Sequence, residues 1–165
     1  MKLTDSKLLY AILNCWINVN ISAEIIKFPL FVRALTIAIV IVGSKPNHSY
    51  EDFFDHAHVK LLTYYIQSEP LPELEIQARE IQCLSGIHIM SAVLGHPEGM
   101  VLRLFHTLYQ DSIISKESFE LWKKEYEFKL RFNEDFERKT ISSVVFNSFF
   151  LSLSVNDSDS DETFD

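Results

Sequence analysis

The stretch Leu108-LYQDSIISKESFELWKKE-Glu125 decides what kind of fold this chain builds. Its second half carries Phe119, Trp122 and Tyr126 at spacings of three and four, which places the three rings on one stripe of an α-helix. Ser115 stands where a helix N-cap is needed, and Ile114 before it can pack on Phe119 as a hydrophobic staple. The segment before it is itself helical in period, with Arg103, His106, Thr107 and Gln110 as its polar side and Met100, Leu102, Leu104, Phe105, Leu108 and Tyr109 filling the rest. Two helices joined by a few residues make a tight helix-turn-helix, and the shared ring stripe faces a core. Asp111, Glu117, Glu120 and Glu125 surround that stripe, so the same segment also offers an acidic surface to a basic partner.

Working outward, the pattern repeats. Thr4 can cap a helix from Asp5 to about Val19, with Leu8, Leu9, Ile12, Trp16 and Val19 on one face. Pro29 stops the turn that follows it, and an almost wholly apolar helix is expected from Leu30 to Val42, ended by Gly43. Ser49 with Asp52 resembles a capping box for a helix whose stripe reads Phe54, Ala57, Leu61 and Tyr65, widened by Phe53, Leu62 and Ile66. From Glu73 to Leu94 two apolar lines, Ala78, Ile81, Leu84 and Cys83, Ile87, Met90, Leu94, predict an inner helix with neighbours on both sides. Pro97 fits the first position of the next helix, and a last helix is expected from about Glu134 to Leu153. With four Gly, five Pro and no strand-length alternation, the chain reads as all-α, six to eight helices. Periodicity leaves a bundle and an α-solenoid equally open.

The 165 residues fit a single helical domain over 1–154, which buries roughly 70% of the extended-chain surface, with an acidic, disordered tail at 155–165. The net charge of −8 is uneven: Asp157, Asp159, Asp161, Glu162 and Asp165 supply five acids in the last nine residues, and the remainder holds 18 acids against 15 bases. Such a field repels nucleic acid and attracts basic protein segments. Ser158, with Asp161 three residues on, fits an acidophilic kinase site, and phosphate would add further negative charge. The run Phe28 to Gly43 contains Arg33 and Pro29 and is shorter than the ~20 apolar residues a membrane span needs, so it is read as a buried helix. Cys15 and Cys83 lie in helical patterns without a secretory leader, as expected of reduced cytoplasmic thiols.

Chemistry-bearing motifs are scarce. His56 and His58 are two apart, on different faces of a helix, and cannot chelate one ion. Cys83 and His88 lack an orienting third group in the sequence, and there is no HExxH, CxxC, Gly-rich phosphate loop or GxSxG. The expectation is a non-enzymatic protein with no cofactor and no metal.

Several segments, in order, resemble one family. CWINVNIS (15–22), FVRALTIAI (31–39), HVKLLTYYI (58–66), EIQCLSGIHIM (80–90), the run from His96 to Glu125 and the acidic end look like the C-terminal HEAT-type, two-tryptophan domain of translation initiation factor 4 gamma, initiation factor 5 and initiation factor 2B epsilon. The 97–125 portion most resembles the branch of initiation factor 4 gamma and its death-associated-protein paralogue. The resemblance implies an α-α superhelix of stacked antiparallel helix pairs, acting as a monomeric scaffold in translation initiation. It also implies two acidic and aromatic segments that dock basic regions, such as those of initiation factor 2 beta or MAP-kinase-interacting kinases. The first maps onto Asp111 to Glu125 with Trp122 as its tryptophan, and Phe119, Trp122 and Tyr126 as structural rings; the second maps onto Phe149 to Glu162, including Asp157, Asp159, Asp161 and Glu162. There the chain departs from the pattern, with Ser152 where relatives carry a second tryptophan before a leucine, here Leu153, and with Asp alternating with Ser in place of a run of glutamates. The larger central domain and the YxxxxL motif of initiation factor 4 gamma are not among these 165 residues, so a stand-alone regulatory mimic that competes for the same partners is the alternative.

Overall fold

The computed structural model describes residues 27–44, 49–67, 70–132 and 143–155. Among them the chain is all-α: α1 (Pro29–Gly43), a 3-10 turn (Tyr50–Phe54), α2 (His56–Ile66), α3 (Glu73–Val93), α4 (Met100–Gln110), α5 (Lys116–Phe132) and α6 (Ser143–Val155). The expected first helix, the first part of the last one, Cys15 and residues 156–165 of the acidic tail lie outside the described residues, while Val155, expected in the tail, is the last residue of α6.

Helix α3 is the inner element, touching α1, α2, α4 and α5, with its most extensive face against α1. Cys83, Ile87 and Met90 of the second apolar line and Leu84 of the first are buried, while Ala78 and Ile81 of the first are half-buried. Leu94, expected to extend the second line, is instead the C-cap and 40% exposed, because there the chain turns away from the packed face. The α1–α3 seam is close. Gly86 faces α1 so tightly that a Cβ there would stand 3.1 Å from the Arg33 carbonyl oxygen and 3.1 Å from Thr36 Cβ. Thr36 Oγ1 donates to Val32 O (2.9 Å) and lies 3.3 Å from Cys83 Sγ. Arg79 is buried on the same helix and clamps two other segments, donating to Tyr65 O (2.6 Å) near the end of α2 and to Lys27 O (2.9 Å) before α1, with Glu75 as counter-charge at 2.8 Å.

Several boundaries differ from the sequence expectation for local reasons. Pro29 is the first residue of α1 rather than only a stop, since its fixed φ suits a helix start and its missing N–H would go unpaired there anyway. Gly43 is the last helical residue, with Ser44 as C-cap; it is small because Phe53 packs against it, and an added Cβ would fall 2.8 Å from Phe53 Cγ and 2.9 Å from Phe53 Cα. The Ser49–Asp52 pair does not open α2. A 3-10 turn intervenes, and Asp55 is the N-cap, accepting from His58 N at 2.9 Å. That shift changes which side of α2 faces in: Leu62 and Ile66 are buried, Tyr65 is half-buried, and Ala57 and Leu61 are exposed. Pro97 precedes α4, whose N-cap is Gly99 in the left-handed conformation (φ 74°), a position that favours a residue without Cβ.

The α4–α5 turn is built from two backbone devices. Ile113 N donates to Leu108 O (3.0 Å) and Ser112 N to Tyr109 O (3.1 Å), with Ser112 left-handed at φ 55°: a Schellman ending, accompanied by burial of Leu108 and Ile113. Ser115 Oγ then accepts from Ser118 N at 3.4 Å and opens α5, while Ile114 and Phe119 are both buried.

Candidate partner-binding surface

The turn fixes how α5 rotates about its axis, and hence what it shows to solvent. Phe119, Trp122 and Tyr126 all face inward, at 0%, 3% and 4% exposure. Trp122 meets Phe105 of α4 edge-on (5.3 Å, 87°), stacks on Tyr126 (5.2 Å, 24°) and abuts His88 of α3 (6.0 Å). Phe149 of α6 closes the cluster, 4.9 Å from Phe119 and 5.4 Å from Phe105. Such ring pairs add to the area they bury by matching ring edges to ring faces. The rings therefore hold α5 in place, and the polar residues between them do the presenting.

Glu117, Glu120 and Glu125 are exposed on α5, and Asp111 is exposed at the C-cap of α4. They are not equivalent. Glu125 accepts a hydrogen bond from Lys129 Nζ at 2.6 Å and borders a small pocket, about 130 Å³, that Arg33 and Lys129 also line. Asp111, Glu117 and Glu120 are drawn into no ion pair among the described residues. Lys123 lies 3.8 Å from Glu127 and over the Phe150 ring at 4.8 Å, so a base on this helix is turned toward α6. Residues 111–132 hold five acids (Asp111, Glu117, Glu120, Glu125, Glu127) and five bases (Lys116, Lys123, Lys124, Lys129, Arg131). The acids exposed near the turn are Asp111, Glu117 and Glu120, with Lys116 half-buried beside Glu117 and Lys124 exposed one turn on from Glu120. Asp157, Asp159, Asp161 and Glu162 lie outside the described residues.

A cleft of about 720 Å³ opens beside the same turn, lined by residues of α2 through α6 that include Gln67, Glu80, His106, Tyr109, Lys116 and Ser152. Gln67 Nε2 ties the end of α2 to the turn through Ser112 O (3.1 Å). Ser152 Oγ donates back to Phe149 O (2.6 Å), a small side chain on the α6 wall. Glu80 is 4% exposed and accepts the Ser115 hydroxyl at 2.5 Å. Glu80 did not stand out in the sequence, because its neighbour across the cleft is 35 residues away and nothing in the period of α3 marks it.

Of the two histidines, His56 is exposed and His58 half-buried, its Nδ1 3.2 Å from Asp55 Oδ1. Cys83 is a free, buried thiol, its pKa pushed up to about 12 by burial, against a smaller lowering by the Thr36 hydroxyl. No described helix is long and apolar enough to cross a membrane. Models of known families, curated proteins and solved structures provide no match to the chain.

Proposed function

We propose that the chain is a non-catalytic, cytoplasmic docking domain that binds Lys- and Arg-rich segments of partner proteins through the acidic surface around the α4–α5 turn. The observation that carries this is the division of labour on α5. Its rings anchor it in the core, while Glu117 and Glu120, with Asp111 on the preceding cap, are exposed and outside any ion pair among the described residues. Exposed acids held on a rigid helix recruit cations without prior ordering of the surface. The ordered resemblance of six segments supports a more specific form of the reading: a HEAT-type stack of helix pairs serving translation initiation, with initiation factor 2 beta or MAP-kinase-interacting kinases as sources of the basic segment. The acidic tail adds long-range attraction in this scheme.

Fluorescence anisotropy with a labelled octalysine peptide tests the surface. Reversing Glu117 and Glu120 to Lys weakens binding roughly ten-fold at low salt and leaves folding stability within about 0.5 kcal/mol, as surface changes do. Equal affinity for the double variant and the parent chain rules the surface out. Deleting residues 157–165 lowers the association rate severalfold at low ionic strength and has little effect near ~0.5 M salt, where screening is short-ranged.

A further inference from the structure

The cleft beside the turn holds a carboxylate for which the exposed surface gives no account. Glu80 is almost fully buried yet lines an open space. A carboxylate withdrawn from bulk water needs a counter-charge or several hydrogen bonds. Among the described residues its hydrogen-bond donor is Ser115, which fills one of the roughly four acceptor positions a carboxylate offers. Two helices end at the same cleft: α2 at its C-cap Gln67, and α4 at Gln110 with Asp111 as C-cap. Each C-terminus carries about half a negative charge. Against these stand the N-terminus of α5, already capped by Ser115, and Lys116. With exposed Asp111 next to Gln110, the negative groups outweigh the positive ones.

The walls also supply acceptors suited to a cation, in the Tyr109 hydroxyl and the Gln67 and Gln110 amides. Ser152 is small enough to leave the α6 side open. We infer that this cleft receives one Lys or Arg side chain of the basic segment, whose cationic head is held by Glu80, while Asp111, Glu117 and Glu120 attract the flanking charges outside. The inference rests on the docking function proposed above and names the anchor within it.

Two variants separate the anchor from the surface. Glu80→Gln removes the charge and keeps an acceptor for Ser115; Ser152→Trp plugs the cleft without touching an acid. Each lowers octalysine affinity roughly ten-fold or more. The loss persists near ~0.5 M salt, because a pair inside the cleft is screened less than an exposed one. In a second arm, N-acetyl-lysine methylamide titrated into the ¹⁵N-labelled chain shifts the amide resonances of Ser115 and the side-chain amide of Gln67, and fails to do so in Glu80→Gln. Octalysine binding to both variants as to the parent chain overturns the anchor and leaves the surface standing. Shifts confined to Glu117 and Glu120 with a silent cleft do the same. If octalysine does not bind the parent chain, the docking function fails, and a silent cleft in the single-lysine titration then overturns the anchor as well. Far-UV circular dichroism confirms that each variant is folded; if Glu80→Gln is not, Ser152→Trp decides.

Discussion

Replacing Trp122 with alanine tests whether the rings of α5 are scaffold or contact surface. The side chain is 3% exposed and packs on Phe105, Tyr126 and His88. An aromatic ring system of this kind buries about 200 Å², which at ~25 cal/mol per Å² corresponds to about 5 kcal/mol as an upper bound. Measured truncations of buried Trp and Phe to Ala fall at about 3–5 kcal/mol, depending on how far the neighbours collapse into the space. Here collapse is restricted, since Phe105 is held from the other sides by Phe119 and Phe149. We therefore expect a loss of about 4 kcal/mol in urea unfolding followed by circular dichroism at 222 nm, with the slope unchanged. Trp16 makes tryptophan fluorescence the poorer probe. Trp122→Phe, which can keep an edge contact with Phe105, costs a smaller part, about 1–2 kcal/mol. A loss below about 1 kcal/mol for Trp122→Ala, or equal losses for the two variants, refutes the inward placement and turns the ring into a candidate contact for the partner.

Three further outcomes follow from local geometry. The His58 amide donating to Asp55 holds that carboxyl below the ordinary range, partly offset by desolvation, so its contribution is present above the unfolded pKa of ~3.9 and is lost as pH falls through the lower folded value; Asp55→Ala costs about 0.5–1 kcal/mol at pH 7 in thermal unfolding, and the cost shrinks as the carboxyl is protonated in acid. Cys83 has the opposite sign: its folded pKa is raised, so its contribution is intact below ~9 and is lost as pH rises toward about 12. In a Cys15→Ser background its thiol reacts with Ellman's reagent at pH 8 only on unfolding, and prompt labelling of the native chain contradicts its burial. Gly43→Ala destabilises by about 1–3 kcal/mol even though Ala is the better helix former, because Phe53 backbone stands in the way; a neutral or stabilising result in urea unfolding shows that the 3-10 turn is not pressed against α1.

The elements legible in the sequence are those where one period runs long enough to dominate. The 21-residue α3 and the ring stripe of α5 are of this kind, since three to six apolar positions at spacings of three and four admit one helical face. The Ser115 start of α5 was readable because capping is a contact between residues three apart. Boundaries differ from the local signal where a distant residue sets them. Asp55 caps α2 because Tyr50–Phe54 coils as a 3-10 turn between α1 and α4, and nothing near Ser49 reports those neighbours. The same reason explains the role of Gly43, which depends on where Phe53 lands.

The candidate surface divides in the same way. That Glu117 and Glu120 lie off the ring stripe of α5 follows from helical angle, a local property that 3.6 residues per turn imposes on any folded state, whereas Asp111 stands on the C-cap of the preceding helix. That Glu125 is occupied by Lys129 while those three are outside any ion pair among the described residues depends on rotamers and neighbours that the chain order does not specify. Glu80 is the extreme case. It becomes part of a cleft because the ends of α2 and α4 and the start of α5 meet there, and those pieces are brought together by core packing between residues tens of positions apart. Periodicity reports which face of each helix is apolar, whereas the meeting of helix ends depends on which apolar faces choose one another.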